Sequence, residues 1–223
     1  MEPWVEAVDR RLRDAGYDSA RVLDAGCGTG RHAQALASYG HRVALLDASA
    51  KLLEIARRRC PGADFWQTDI CSPGIDAVFD AVMCRGVLND LVLDDERMAV
   101  FGAFAALCDR GGLLLLDVRE ATASAPRSDG RVRQSTVSLA DGTRLVFTSR
   151  PSWTHRRIVV EERYELTGLD GQSVSHEYLF EMRPWEREEL SDHLTASGFI
   201  NIELHPGVGR RTADRLFVVA ERR

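Results

Sequence analysis

The sequence predicts an α/β fold, a doubly wound sheet with an antiparallel β insert ahead of its last helix. Three observations predict it. Between residues 21 and 119, short runs that are apolar throughout alternate with amphipathic segments of helical period, the pattern of parallel strands covered on both faces. The stretch VLDAGCGTG (22–30) packs three glycines into five positions directly behind the first apolar run. After Arg119 the period falls to two and stays there to residue 183.

Taken in order, residues 4–15 form a helix with Trp4, Val5, Val8, Leu12 and Ala15 on one face. RVLDA (21–25) is a buried strand, and TGRHAQALASYG (29–40) a helix closed by a glycine. HRVALLD (41–47) is the second strand, and SAKLLEIARRRC (49–60) a helix with Ser49 as N-cap. ADFWQTD (63–69) and FDAVMC (79–84) are the third and fourth strands, DDERMAVFGAFAALC (94–108) a long helix, and GGLLLLDVR (111–119) the fifth strand. EATASAPRSDG (120–130) reads as a loop. Four alternating runs follow, VRQSTVSL, RLVFTSRPSW, RRIVVEERYELT and SVSHEYLFEM, with hairpin signals at Asp141-Gly142 and Asp170-Gly171. A helix over 185–197 stops at Gly198, and FINIELHP and RLFVVAER close the chain as a strand pair. The expected division is a core of residues 1–119 and 184–223, with an insert of 120–183 covering one side of it.

Composition narrows the function. The 223 residues are 44% hydrophobic, enough for a sizeable core, and no run approaches the roughly 20 apolar residues of a membrane span. The charged, amphipathic N-terminus lacks a signal-peptide core, so a cytoplasmic protein with no membrane partner is expected. A net charge of −5 argues against a nucleic-acid partner. The five cysteines include no C-x-x-C pair, so neither a metal site nor a disulfide framework is expected. Cys27 and Cys84 have no base beside them in the sequence that would make them nucleophiles.

In open α/β sheets, ligands sit beyond the C-terminal strand ends, where strand order reverses, and DAGCGTG occupies that place. Its spacing, with Gly26, Gly28 and Gly30 at alternate positions, is one residue tighter than the G-x-G-x-x-G of dinucleotide folds. That leaves less room for a pyrophosphate and argues against a nicotinamide-dependent dehydrogenase. Asp47, ending the second strand, is placed to accept both hydroxyls of a ribose. Asp69, ending the third, is placed to accept a hydrogen bond from an exocyclic adenine amine. Asp24, just ahead of the glycines, can orient the loop or meet a ligand ammonium through water. Each acid alone is equally a turn or cap residue. Together they describe a nucleoside-shaped slot for a positively charged ligand without phosphate.

These residues, with FDAVMCRGVLNDL and GGLLLLDV after them, closely resemble the class I S-adenosylmethionine-dependent methyltransferases over about residues 20–119. The resemblance implies a seven-stranded Rossmann-like sheet with its last strand antiparallel. It also implies S-adenosyl-L-methionine as cofactor and S-adenosyl-L-homocysteine as product. The glycine loop (Gly26, Cys27, Gly28, Thr29, Gly30) would lie against the methionine part, and Asp47, flanked by Ala48 and Ser49, on the ribose. Asp69 would meet the adenine with Ile70 packed near it, and Cys84, Arg85 and Gly86 would face the methionine portion. His32, just past the loop, either lines the pocket or stands exposed on the helix. The β insert is similar to that of small-molecule N-methyltransferases of the sugar N,N-dimethyl and glycine N-methyl types. That implies a small-molecule acceptor, an amine or less readily a hydroxyl, and allows a homodimer through the insert. Two departures stand out. Such enzymes usually carry a longer N-terminal lid, so either the lid is dispensable here or the sequence starts late. The sugar enzymes commonly have a histidine where this chain has Asp90.

The acceptor is expected past the fourth strand, along CRGVLNDL, with Asn89 and Asp90 projecting toward it; Asp90 is otherwise an N-cap of the next helix. Alternation puts His176, Tyr178 and Phe180 on one face of the insert, making His176 and Tyr178 candidate acid, base or orienting groups. Arg119 and Glu120 can reach a substrate carboxylate and amine respectively; Arg119 can otherwise close the loop through a salt bridge. The alternative from another class is a protein that uses the same pocket without donating the methyl.

Overall fold

A computed structural model describes residues 3–210 and 212–223. Helix α1 (Pro3–Asp14) precedes a run of alternating elements: β1 (Arg21–Ala25), α2 (Arg31–Ser38), β2 (Arg42–Asp47), α3 (Ala50–Arg59), β3 (Asp64–Gln67), β4 (Phe79–Arg85), α4 (Asp94–Leu107) and β5 (Cys108–Arg119). Strands β1 to β5 are parallel, in the order β5-β4-β1-β2-β3. After the insert come α6 (Arg187–Ala196), β10 (Phe199–Pro206) and β11 (Arg215–Arg222). Strand β11 runs antiparallel to both β5 and β10, completing seven strands. This is the doubly wound Rossmann-like sheet expected.

Alternating residues of each strand feed opposite faces, which explains why the runs are apolar throughout. Val22, Ala81, Met83, Leu115 and Phe217 pack with Trp4, Val5, Val8 and Leu12 of α1. Leu23, Val82, Leu114, Leu116 and Val218 pack on the other face with Phe101 and Phe104 of α4 and Leu190 and Leu194 of α6. A third cluster seats Leu53 and Ala56 of α3 on Leu45.

The expected loop at 120–130 is instead a short helix, α5 (Ala121–Ser124), running into a 3-10 turn at Ala125–Arg127. Ser124 and Ser128 explain the difference: both are buried, and the Ser128 hydroxyl donates to the Ser124 carbonyl, tightening a polar segment against the core. The insert proper is a separate antiparallel sheet in the order β6 (Arg133–Ser138), β7 (Arg144–Thr154), β8 (Arg157–Thr167) and β9 (Ser173–Met182). Gly142 and Gly171 turn two of its hairpins, as the sequence suggests. The β7–β8 hairpin turns at His155 and Arg156, both at positive φ (48° and 62°), the mirror-image geometry favoured between twisted strands, here achieved without glycine.

The ends of this excursion meet at Trp185. Its backbone N–H donates to the Arg119 carbonyl (2.8 Å) and its carbonyl accepts from Ala121 (2.9 Å), while its indole donates to the Leu88 carbonyl (3.2 Å). The ring lies fully buried against Phe101, His193 and the guanidinium of Arg97, which stands 3.3 Å over it. Arg97 reaches the Leu91 and Arg183 carbonyls and pairs with Glu189. Replacing Trp185 with Ala should destabilise the fold by roughly 3–5 kcal/mol, seen as a lower midpoint in urea with an unchanged slope.

Candidate active site

The C-terminal ends of β1, β2 and β4 converge on the glycine loop. The N–H groups of Gly26 and Cys27 both donate to the Leu46 carbonyl (2.8 and 2.9 Å), fastening the loop to the end of β2. All three glycines sit at positive φ, 75°, 55° and 73°, so a side chain at any of them would be strained. Their surroundings differ. A Cβ on Gly26 would come within 2.5 Å of Val87, and one on Gly30 within 3.0 Å of Ala56 on α3. Only Gly28 faces open space. Two glycines therefore serve packing of the protein on itself, and one leaves room above the loop.

Asp47 receives the Gly28 N–H on one carboxylate oxygen and the Ser49 N–H on the other, each at 2.8 Å. Ser49 caps α3 as expected, its hydroxyl accepting from Leu52 at 3.3 Å, and Ala48 lies exposed between them. Thr29 is held from outside the loop by Arg59. Asp24 lies beneath the loop, 2% exposed, with its Oδ2 unpartnered. Burial pushes its pKa up to about 7, reinforced by the negative charge of Asp47 and opposed by the Ala33 N–H and Arg85.

Asp69 lies outside β3, which ends at Gln67; its exposed carboxylate accepts the Cys71 N–H at 2.7 Å and turns the chain, while Ile70 is buried in the core. Arg85 donates to His32 Nε2 (2.5 Å), and its guanidinium lies 5.3 Å from the Trp4 ring. His32 thus joins the site through Arg85. Gly86, at φ 81°, bends the chain out of β4 and donates its N–H to the Asp117 carbonyl. Burial raises the thiols of Cys27 and Cys84, with Asp24 adding to both, so neither carries a thiolate at neutral pH.

Beyond β4, where the sequence leads one to expect the acceptor, Asn89 is buried and acts as a pin. Its Oδ1 accepts the Arg119 N–H and its carbonyl the Arg183 N–H, both at 2.7 Å, leaving its Nδ2 unpartnered. Asp90 is not an N-cap: α4 begins at Asp94 behind Leu93, and the Asp90 carboxylate stands at the surface. Partial desolvation raises its pKa, against the pull of Arg215 and Arg119. Arg119 pairs with Asp214, and Glu120 with Arg187, so both close the loop rather than stand ready for substrate. The motif reading missed the fully buried Asp117, which takes two hydrogen bonds from Arg210 (2.6 and 3.0 Å) and one from Arg215 (3.0 Å). No local motif marks it: the cluster is assembled by the register of β11 on β5, which sets Arg215 beside Arg119.

His176 and Tyr178 share a face, as alternation requires, but the structure groups them with Tyr164 and Leu166 and not with Asn89 and Asp90. Tyr178 packs edge-on to Tyr164 (5.7 Å), and Tyr164 donates to Glu162 (2.9 Å). A cavity of about 270 Å³ lies between insert and core, bounded by Arg119, Asp214, Arg127, Arg133, Val160 and Phe180. At ~3.3 Å per residue, His176 sits some 13 Å along β9 beyond Phe180.

The strand order and an acid-lined glycine loop at its switch point define an enzyme of the nucleoside-cofactor class. Comparison with known proteins gives the family. The family model of a methyltransferase domain matches residues 22–112. A dTDP-3-amino-3,6-dideoxy-α-D-glucopyranose N,N-dimethyltransferase from Streptomyces fradiae is 30% identical over 85% of this chain and 73% of its own length. The structure of CalS10, an amino pentose methyltransferase from Micromonospora echinaspora with S-adenosylmethionine bound, matches 97% of this chain and 89% of its own at TM-score 0.82 and 28% identity. The sugar N-methyltransferase KedS8 from a Streptoalloteichus species shares the fold (TM-score 0.85, 24% identity, 99% of this chain and 87% of its own). The chain belongs to the S-adenosylmethionine-dependent methyltransferases.

The site fits that cofactor. An unpartnered carboxylate oxygen of Asp24 beneath the loop and the Asp47 carboxylate bonded to it suit a ligand carrying sulfonium and ammonium charges. Because Asp24 has a pKa raised from 3.8 to about 7, the free protein holds a proton there that the unfolded chain has released. Stability should therefore fall as pH rises from about 4 to about 7, a loss of a few kcal/mol from this group. Asp24→Asn should remove that part of the slope, making the free variant the more stable protein at pH 8 in thermal unfolding, while the advantage vanishes near pH 4.

Proposed function

We propose that this chain transfers the methyl group of S-adenosylmethionine to an amine of a small molecule. The observation that carries the reading is Asp90: an exposed carboxylate, free of any capping duty, on the segment that follows β4, whose Val87 lies against Gly26 of the glycine loop. The amine lone pair attacks the methyl carbon, the carbon–sulfur bond breaks with its electrons going to sulfur, and the new ammonium loses a proton. Asp90 accepts a hydrogen bond from the amine, orients its lone pair and takes that proton. Asn89 acts one step removed, holding the Asp90 backbone against the end of β5.

In this reading Asp47 binds the ribose hydroxyls with the lone pairs its backbone bonds leave open, flanked by Ala48 and Ser49. Asp69 takes the adenine amine and Ile70 the ring face. Asp24 balances the ligand ammonium, and Gly26, Cys27, Gly28, Thr29 and Gly30 shape the methionine end. The backbone of Cys84, Arg85 and Gly86 lines its far side, with His32 fixing Arg85. The insert covers the acceptor. The cavity with Arg127 and Arg133 on its rim suits an acceptor that bears an anionic group, as the nucleotide-linked amino sugar of the Streptomyces relative does.

Incubation with S-adenosylmethionine and dTDP-3-amino-3,6-dideoxyglucose, followed by mass spectrometry, should show one or two added methyls and an equal yield of S-adenosylhomocysteine. Consumption of an acceptor without S-adenosylhomocysteine would overturn methyl transfer. Asp90→Asn should lower kcat/KM by roughly 10²-fold at neutral and higher pH, the gap closing at low pH where the wild-type carboxylate takes up its own proton, with cofactor affinity unchanged by calorimetry. Asp47→Ala and Asp69→Ala should each weaken cofactor binding.

We also infer a homodimer through the insert. One face of its sheet carries its own ion pairs (Arg150–Glu161, Arg157–Glu181, Arg163–Glu177), while the other presents Leu145, Tyr164, Leu166, Val174, His176 and Tyr178. Tyr178 is 55% and Val174 59% exposed, and a second copy offers the same largely apolar surface about a two-fold axis, with Glu162, held by the Tyr164 hydroxyl, on the same face. Sedimentation should show a dimer at micromolar concentration and a monomer for Tyr178→Glu; a wild-type monomer throughout would refute it.

A further inference from the structure

A cavity of about 550 Å³ opens at the other end of the sheet, where β1, β2 and β3 begin. Its floor is apolar, formed by Val43, Ala44 and Phe79, and its rim carries Arg21, Arg42 and Arg59. Arg21 and Arg42 are register neighbours on adjacent strands, so two guanidinium groups start side by side. Like charges so placed repel unless something negative lies between them. Arg21 lies over the Phe79 ring at 5.4 Å, and exposed Arg42 makes no side-chain hydrogen bond or ion pair among the described residues.

The nearby acids do not neutralise the rim. Asp64 lines the cavity but forms no ion pair with these arginines, and Asp80 accepts the backbone N–H of Arg21 (2.6 Å). His41 is spent on the Ala20 N–H (3.0 Å) and Asp9 (2.9 Å). A protein of net charge −5 thus keeps a cationic concavity over an apolar floor, remote from the residues assigned to catalysis.

The third arginine connects this cavity to the glycine loop. Arg59 Nη1 donates to Thr29 Oγ1 (2.8 Å) and to the Thr29 carbonyl (3.3 Å), and the adjacent Cys60 thiol donates to the Gly30 carbonyl (3.6 Å). One guanidinium thus belongs both to the cavity's lining and to the loop.

We propose that this cavity binds a small organic polyanion, a phosphate ester or a di- or tricarboxylate, and that its occupancy weakens the cofactor's hold on the glycine loop. The forked donors of arginine match either anion in bidentate fashion, and the floor of Val43, Ala44 and Phe79 takes an apolar body. Negative coupling follows because the bound anion draws Arg59 away from Thr29, and by linkage the cofactor disfavours the anion by the same factor. The coupling rests on the glycine loop being the cofactor site; the anion site does not.

Calorimetric titration of the cofactor-free protein with pyrophosphate and, separately, citrate tests both parts. At least one probe should bind, and the stronger one identifies phosphate or carboxylate as the preferred chemistry. Arg42→Gln should weaken it about tenfold or more, whereas the Arg127→Gln/Arg133→Gln variant, altered in the acceptor cavity, should keep it. A saturating probe should lower S-adenosylmethionine affinity about fivefold or more. Arg59→Gln should lower it without any probe and respond no further. Absence of binding by both probes, equal binding by the Arg42 variant, or cofactor affinity indifferent to a saturating probe would each overturn the proposal. If S-adenosylmethionine fails to bind the wild-type protein at all, the reading of the glycine loop falls instead, and the anion titration still decides the cavity.

Discussion

The architecture depends on one stitch. The chain leaves the sheet after Arg119 to build a second sheet and must return to the same place for α6 and the closing strand pair. It does so because Asn89 and Trp185 hold the two crossings together: the Asn89 side chain takes the Arg119 N–H, its carbonyl the Arg183 N–H, and Trp185 pairs with Arg119 and Ala121 on either side. Closing so long a loop costs chain entropy, but the cost grows only slowly with length. A few buried, well-directed bonds therefore suffice to anchor the whole excursion. The same stitch adjoins Asp90, so the element that makes the insert tolerable also fixes the backbone of the residue proposed to meet the acceptor.

Charge around the site is organised by partnership. At the mouth near β5, Asp117 gathers Arg210 and Arg215, and Asp214 takes Arg119, so most of this positive charge is spent on holding the β10–β11 loop against the sheet. On the cofactor side the balance is reversed. Asp24 lies near Asp47, and Arg85 offsets its desolvation only in part. The half near β5 thus pairs its charges internally while the half by the glycine loop keeps negative charge in excess, which suits a cationic cofactor.

The parallel core was legible because burial on both faces leaves an unbroken apolar signature, and the acids beside the glycines were legible because they terminate or closely follow strands. Asp69 shows the limit: the pattern extended β3 to it, whereas the chain has already turned, and the aspartate itself makes the turn. The helical turn at Ala121–Ser124 was invisible because its order comes from buried serines, not from periodicity. His176 and Tyr178 were placed correctly on a face, yet a face has length, and alternation carries no information about distance along a strand. The arginine and aspartate cluster of the β10–β11 loop could not be read locally at all, since it is assembled by a register between residues nearly a hundred positions apart.

The bonds of Asp47 carry a further implication. Its carboxylate already joins Gly28 to Ser49, so the loop is held in shape by the residue proposed to grip the ribose. Little ordering then remains to be done when the cofactor arrives, and the entropy of shaping the loop is charged to folding and not to affinity. The position is correspondingly unforgiving to evolution. A drift in nucleoside preference cannot begin at Asp47 without loosening the loop that every alternative nucleoside would also need, so specificity in such a site is free to change around this residue but not through it.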